Sequence, residues 1–386
     1  MSHSTKSILV GSLLVAGTSI GGGMLGLPVA TAPGGFLPSL IFLLLSWAFM
    51  TSTGLMLGEL CCRHGGRPNL VTLAKEALGN SGRAWAWILS IFLFSTLIIA
   101  YLVGLAGLIG RLFGIDASSL IIWVAIGAAI ALWPKFQLLL RLNTLFMAIL
   151  FGAYALFVFV GIPHIQGHLL ERAVWLDAPF ALPVLFTSFG FQGTVPSLAS
   201  IMDYDSAKVR RSILIGTGIA LAVYILWQAI LLGVVPYAGG LEIAVREGQD
   251  AIAPLAHHVQ APHLFAVGEV FAFAAISTSL LGVGLGLLDF FADGLKLSLS
   301  KPLHALGLIA LILVPTTVIA VNNPHIFLSA LGVAGGIGCA LLLGLLPLVL
   351  AIRKKALFGI FRKRYVLCLL FAFLLFELCI EAYNLI

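Results

Sequence analysis

Charge is what this sequence has least of. Its 386 residues include 21 Lys or Arg and 15 Asp or Glu, so 9% are charged, where a soluble domain carries about 25%. Apolar residues make up 61%, and a chain of that composition cannot cover itself with polar surface in water. Cysteine is also scarce. The five present (Cys61, Cys62, Cys339, Cys368 and Cys379) are odd in number and sit in or at the ends of apolar runs, which argues against a disulfide framework. A cleaved leader is not expected either, because the apolar run from Ile8 to Ala32 is too long and continues into a second one. These absences exclude a soluble enzyme, a secreted scaffold and a nucleic-acid reader.

What the chain has is length without charge. Between Lys6 and Glu59 lie 52 consecutive residues with no acid or base. A spanning helix needs about 20 apolar residues, so this stretch holds two spans, split at Ala32-Pro33-Gly34-Gly35. Apolar runs and Gly, Pro or charge breaks predict eleven spans, at about 7–32, 38–62, 84–112, 118–134, 137–162, 181–202, 211–236, 263–292, 303–321, 325–350 and 365–385. With the N-terminus cytoplasmic, 18 of the 21 basic residues fall on inside segments; only Arg111, Arg172 and Arg246 fall outside. The positive-inside rule therefore orients the chain, with the N-terminus in the cytoplasm and the C-terminus outside. The net charge of +6 is a topology signal, and nucleic acid need not be invoked.

Two spans read as broken. Span 1 carries Gly17-Thr18-Ser19-Ile20-Gly21-Gly22-Gly23 near its middle, and span 6 carries Thr187-Ser188-Phe189-Gly190-Phe191-Gln192-Gly193. Each glycine costs a helix about 1 kcal/mol relative to alanine. Unwound backbone at mid-membrane is tolerated only inside protein or against a cavity. A single glycine-rich helix is explained as well by close helix packing. The pairing shifts that balance: Thr-Ser-x-Gly recurs at 18–21 and 187–190, an offset of 169 residues, and Pro28 and Pro196 follow. A weaker echo links Phe92, Phe94, Ser95 and Thr96 with Phe271, Phe273, Ser277 and Thr278. Repeats of five spans insert inverted relative to each other, and interrupted helices at matching places in inverted halves point to a transporter's binding site. The predicted division is a first repeat over 1–162, a second over 163–350, and a basic loop with a last span over 351–386. A half-helix starting near Gly23 aims N–H groups and a positive dipole end at a carboxylate. Free carbonyls at the other half-helix ends suit an ammonium or a cation. Such a site fits an α-amino acid.

At these residues the chain resembles the hydroxy and aromatic amino acid permease family of the amino acid–polyamine–organocation superfamily. The resemblance runs over nearly the whole chain. It rests on the stretch Leu14–Pro28, on Phe186–Gly193 with Pro196 and Ser197, on Lys208–Gly216 with Tyr224, Trp227 and Gln228, and on Thr278–Asp289. It implies an all-α integral membrane protein of eleven helices. The expected arrangement is a LeuT-like 5+5 inverted repeat plus one extra helix. It also implies proton-coupled uptake of tyrosine or tryptophan across the bacterial inner membrane, with no cofactor. Carried onto this sequence, it places the substrate carboxylate on the backbone of Gly21, Gly22 and Gly23. The amine falls at Thr18, Ser19 and the second break, over Thr187, Ser188, Phe189, Gly190 and Gln192. Gln192 stands where many relatives carry His, which removes one proton carrier.

Other residues are weighed singly. Phe186, Phe189 and Phe191 surround the second break and are expected to supply a stacking or gating ring, Phe189 first; Tyr101 and Trp227 are lesser choices. Ser277, Thr278 and Ser279 lie midway along span 8, where hydroxyls bond back to the preceding turn or help hold a coupling cation. Intramembrane carboxylates are functional by default. Glu269 is read as a proton relay, and Glu59 as an interfacial acid. Asp289 and Asp293 share a helix face at the inner end of span 8, and Lys6 starts span 1 on the same side, so Lys6 is expected to pair with one of them as an inner gate.

Three motifs mislead. Gly17-Thr-Ser-Ile-Gly21 matches a nucleophile elbow, but that needs a strand-to-helix turn on a soluble sheet. His164, His168 and Glu171 have metal-ligand spacing without a further ligand, so no metal is expected. Gly282, Gly284 and Gly286 lack the preceding strand of a nucleotide site. The nearest rival reading keeps the fold and makes it a sodium-coupled carrier or a carrier of small neutral amino acids. An intramembrane enzyme would need a convergent catalytic set, which the spans lack. A channel fits broken, inverted helices poorly.

Overall fold

The computed structural model describes residues 3–66, 68–133, 136–255 and 262–385, with the side chains at 3–6, 136–144 and 262 outside the description. All regular structure among these residues is helical. In hydrocarbon every backbone N–H and C=O must be satisfied within the chain, and a helix does this within one segment. Eight helices are long and apolar enough to cross a membrane. They are α3 (Phe36–His64), α4 (Leu70–Phe113), the Leu145–His164 part of the helix beginning with α6 (Phe136–Gly161), and α9 (Ser206–Val234). They continue with α10 (Pro262–Gly294), α11 (Pro302–Asn322), the continuous stretch Phe327–Arg353, and α14 (Arg364–Asn384). Within Phe327–Arg353, α12 (Phe327–Val333) runs through a π-helical segment, Ala334–Leu345, into α13 (Leu346–Arg353). A further apolar helix, α5 (Ala117–Leu132), has 16 residues.

The two glycine-rich stretches are interrupted, as their composition predicts. The first is α1 (His3–Ser19), an extended Gly21, a 3-10 turn over Gly22–Leu25, then α2 (Leu27–Thr31). The second is α7 (Leu182–Ser188), a turn at Gln192–Thr194, then α8 (Val195–Ile201). Proline at the first turn of α2, α7 and α8 suits a helix restart, where its missing N–H costs nothing.

Local signals fix the joints. The turn between α2 and α3 holds Gly35 at φ +82°, where a Cβ would strike the Arg172 carbonyl. Arg172 Nη1 donates to the Ala32 and Pro33 carbonyls at 2.7 Å each, clamping that turn to the approach to α7. Asn69 caps α4 by accepting from Thr72 N at 2.8 Å, and Gly79 (φ +72°) kinks the helix one turn before its apolar run. Asp205 caps α9 through the N–H groups of Ala207 and Lys208. Those bonds, that of Lys208 foremost, hold its carboxyl below the usual range.

Glu59 differs from its expected interfacial role. It is buried and takes Arg63 Nε at 2.8 Å and Arg210 Nη2 at 2.6 Å, tying α3 to α9. The pairing resolves the cost of burying it, since a carboxylate with two guanidinium donors is compensated. With Lys354 on Glu76, this marks a basic end of the bundle, where α4 begins and α13 finishes.

Candidate functional site

The two interruptions meet. Ser188 Oγ donates to the Gly23 carbonyl at 3.2 Å, and the Tyr224 hydroxyl of α9 lies 2.6 Å from the carbonyl oxygens of both Ser19 and Ser188. One hydroxyl proton serves two carbonyls that a helix end would leave unpaired. Trp227 Nε1 donates to the Met24 carbonyl at 3.0 Å. Facing them, Ser279 Oγ on α10 accepts the Gly22 N–H at 2.8 Å. Any side chain at Gly22 would displace the Tyr101 ring, because a Cβ would lie 2.5 Å from Tyr101 Cε1.

A cavity of about 590 Å³ lies between the breaks, within the range of small-molecule sites. Its wall includes Gly21, Gly22, Gly23, Thr18, Thr187 and Gly190, with Thr278 and Ser279 of α10 and Cys339 of the π-helical segment. Its rings are Phe94, Tyr101 and Phe290. From the breaks the wall continues through Leu13, Asn69 and Phe290 toward the basic end. Leu13, on the wall there, is 48% exposed.

The opposite end is sealed. Arg111, at the end of α4, bonds Asp250 at 2.8 Å and Glu269 of α10 at 2.9 Å, and both acids are buried. Asp250 Oδ1 also accepts the Ile252 N–H at 2.9 Å, and Ala251 N donates to the Leu25 carbonyl at 3.0 Å. The stretch at 250–252, after α9, is thereby latched over the second half of the first broken helix. Met24, Leu25, Tyr224 and Trp227 beneath it are fully buried.

Several expected residues lie elsewhere than their proposed roles require. Phe186, Phe189 and Phe191 do not line the cavity. Phe186 stacks on Phe49 at 5.1 Å, Phe189 meets the Tyr224 ring edge-on at 5.0 Å, and Phe191 fills the space left by Gly54. Trp227 packs behind the break between Phe157 and Phe271. Gln192 turns away, donating to the Met50 carbonyl at 3.0 Å and Thr53 Oγ1 at 3.2 Å on α3. Thr18, Ser19 and Thr278 do line the cavity, with their hydroxyls bonded back to the preceding turn, whereas Ser277 is buried. Glu269 belongs to the Arg111 cluster, away from Ser279. Asp289 and Asp293 form no ion pair among the described residues, and the Lys6 side chain lies outside them.

Sequence reasoning missed three features. Arg111 and Asp250 pair across 139 residues, which no local pattern announces. Phe94 and Phe290 reach the cavity from distant helices. Glu377 and Glu381 had a legible signal, two acids four residues apart in an apolar run.

The chain is similar in sequence to known transport proteins. The tyrosine-specific transport system 1 of Haemophilus influenzae is 33% identical over 338 residues, 84% of this chain and 83% of that protein. The tryptophan-specific transport protein of the same organism is 31% identical over 354 residues, 86% and 84% of the two chains. Among solved structures, a manganese transporter of Eremococcus coleocola superposes with a TM-score of 0.61 at 15% identity, covering 99% of this chain and 87% of that one. That likeness concerns the fold. The family profile described as "Tryptophan/tyrosine permease family" matches residues 4–381. With its apolar helices, this makes the chain a multi-pass membrane protein and a permease, not an enzyme. It belongs to the tryptophan/tyrosine permease family.

Proposed function

We propose that this protein is a secondary transporter importing an aromatic amino acid, tyrosine or tryptophan, by proton symport and alternating access. The observation that carries the reading is that both helix interruptions, 169 residues apart in sequence, face one cavity with Tyr101 on its wall. Eight long helices, the 16-residue α5 and the two interrupted helices would make eleven crossings, in two inverted repeats of five and a last helix. The names of the relatives support the cargo.

In this mechanism the substrate carboxylate takes the N–H groups of Gly21–Gly23. The Gly22 N–H leaves Ser279 for a charged acceptor, which binds about twice as strongly as a neutral one. Thr18 and carbonyls at the break meet the ammonium, and Phe94, Tyr101 and Phe290 surround the ring. The basic end faces the cytoplasm, so the structure corresponds to an inward-open state. The Arg111–Asp250–Glu269 cluster is the closed outer gate. Lys6 with Asp289 or Asp293 would close the inner one in the alternate state.

The reading is tested by uptake into reconstituted vesicles of labelled tyrosine, tryptophan, phenylalanine and leucine under an imposed pH or sodium gradient. Tyrosine or tryptophan should accumulate under an acid-outside gradient and leucine should not. Leucine uptake above every aromatic overturns the cargo. Uptake that needs sodium and ignores pH overturns the proton.

A further inference from the structure

The last helix carries two acids that this cycle does not use. Most of α14 faces outward, with Leu369 66% and Leu375 61% exposed, as lipid contact requires. Its inward face presents Glu377 and Glu381, which lie one turn apart on the same side and are 0% and 4% exposed. Both carboxyl oxygens of Glu377 lack a hydrogen-bond partner among the described residues. Burying a carboxylate without a cation costs several kcal/mol, and a second one beside it adds repulsion.

Among the described residues, no cation pairs with either acid. From the π-helical segment, Cys339 lies within electrostatic range of Glu377, and Gly336 lies so close to the Glu381 carboxyl that a Cβ would strike it. Asn384, in the last turn of α14, contacts Glu381. The packed α7 and the turn Ala178–Ala181 contain no titratable side chain. The α3 helix contributes the rings of Phe42 and Phe49, and its Glu59 is held by Arg63 and Arg210. Arg362, on the turn before α14, bonds the Leu357 carbonyl instead. Polar residues placed this expensively in a membrane are functional by default.

The pair also has a route to the substrate site. Cys339, on the segment packed against α14, lines the cavity. Its Sγ lies 3.5 Å from where a Cβ on Gly190 would be. Thr187, beside it, bonds the Leu331 carbonyl of α12 at 2.7 Å. The segment between α12 and α13 thus touches the second break on one face and the acids on the other. Its π-helical winding is of the kind that recurs at functional sites.

We propose that Glu377 and Glu381 form the site that holds the coupling proton, behind the second break. The proposal rests on the proton-symport reading. A proton bound to a carboxylate oxygen leaves the pair compatible with its apolar setting, and its departure puts charge against the segment that braces Thr187 and Gly190. Proton occupancy is in this way tied to the shape of the substrate cavity.

The test combines transport with infrared spectroscopy of the purified full-length protein. The wild type should show a protonated-carboxyl C=O band that shifts when substrate is added, and Glu377→Gln should lose it. In vesicles, Glu377→Gln and Glu381→Gln should lower pH-driven accumulation at least tenfold. Counterflow, which needs no net proton movement, should fall less than threefold, and Glu377→Asp should restore part of the driven uptake. Equal loss of both activities, or driven uptake at the wild-type level in Glu377→Gln, overturns the proposal. So does a carboxyl band that survives in both Gln variants, or a band displaced by sodium. A wild type whose uptake ignores pH would overturn proton symport instead, and the band would still report whether this pair binds a proton.

Discussion

Gly22→Val abolishes substrate uptake while the protein remains folded. The Cβ alone would lie 2.5 Å from Tyr101 Cε1, far inside contact distance, so the ring is pushed into the cavity. The branched side chain also covers the N–H groups assigned to the carboxylate. Each hydrogen bond to a charged group is worth about 1.5–3 kcal/mol, so losing two weakens binding by about 100-fold or more. Fluorescence-detected size exclusion checks folding and labelled-substrate uptake checks function. Ser279→Ala should be milder. It removes the acceptor that holds the Gly22 N–H in this state, so it changes apparent affinity by only a few fold. Uptake by Gly22→Val within threefold of wild type would remove the carboxylate from this backbone.

The second large effect is expected at Arg111. Arg111→Gln leaves Asp250 and Glu269 buried, with side chains 4% and 2% exposed, and without their cation. Breaking a buried pair from one side costs about 3–5 kcal/mol. That cost falls on the state in which the cluster is assembled, and a bias of this size shifts a two-state population more than a hundredfold. The form seen here should be depleted and uptake lost. A cysteine at Met24, fully buried here, should become reactive to an impermeant thiol reagent from the side opposite the basic end, in a background without the native cysteines. Adding Asp250→Asn and Glu269→Gln should recover thermal stability, because the orphaned charges are gone, without recovering gating. Unchanged uptake and labelling in Arg111→Gln would show that the cluster does not hold this end shut.

How much of this was legible in the residues depends on the kind of signal. The breaks could be read because consecutive glycines and a following proline act locally on helix formation, and because Thr-Ser-x-Gly occurs twice. Tyr101 and Ser279 were named, yet their meeting across Gly22 joins segments 257 residues apart, and only the fold supplies it. The rings at 186, 189 and 191 misled for a physical reason. Where the helix unwinds, at 189 and 191, the 3.6-residue phase no longer says where side chains point. Phe186 instead lies in the regular α7, on the face that packs against Phe49. The backbone stayed at the cavity while the rings packed behind it. Glu269 was correctly singled out as an acid in a span, but a carboxylate's partner cannot be read from its own helix. The Glu377–Glu381 pair had the helical spacing of a shared face, and an apolar run that faces lipid elsewhere gave little reason to ask what that face meets.

The central claim is that the breaks enclose an amino acid site reached from the basic end in this state. Thr18 is exposed on the cavity wall, so a single Thr18→Cys, in a chain whose five native cysteines are replaced, reports on it directly. In membrane vesicles of known orientation, an impermeant thiol reagent should label this cysteine from the cytoplasmic side. Tyrosine or tryptophan should protect it and leucine should not. Labelling confined to the opposite side, or unaffected by any aromatic amino acid, would contradict the account.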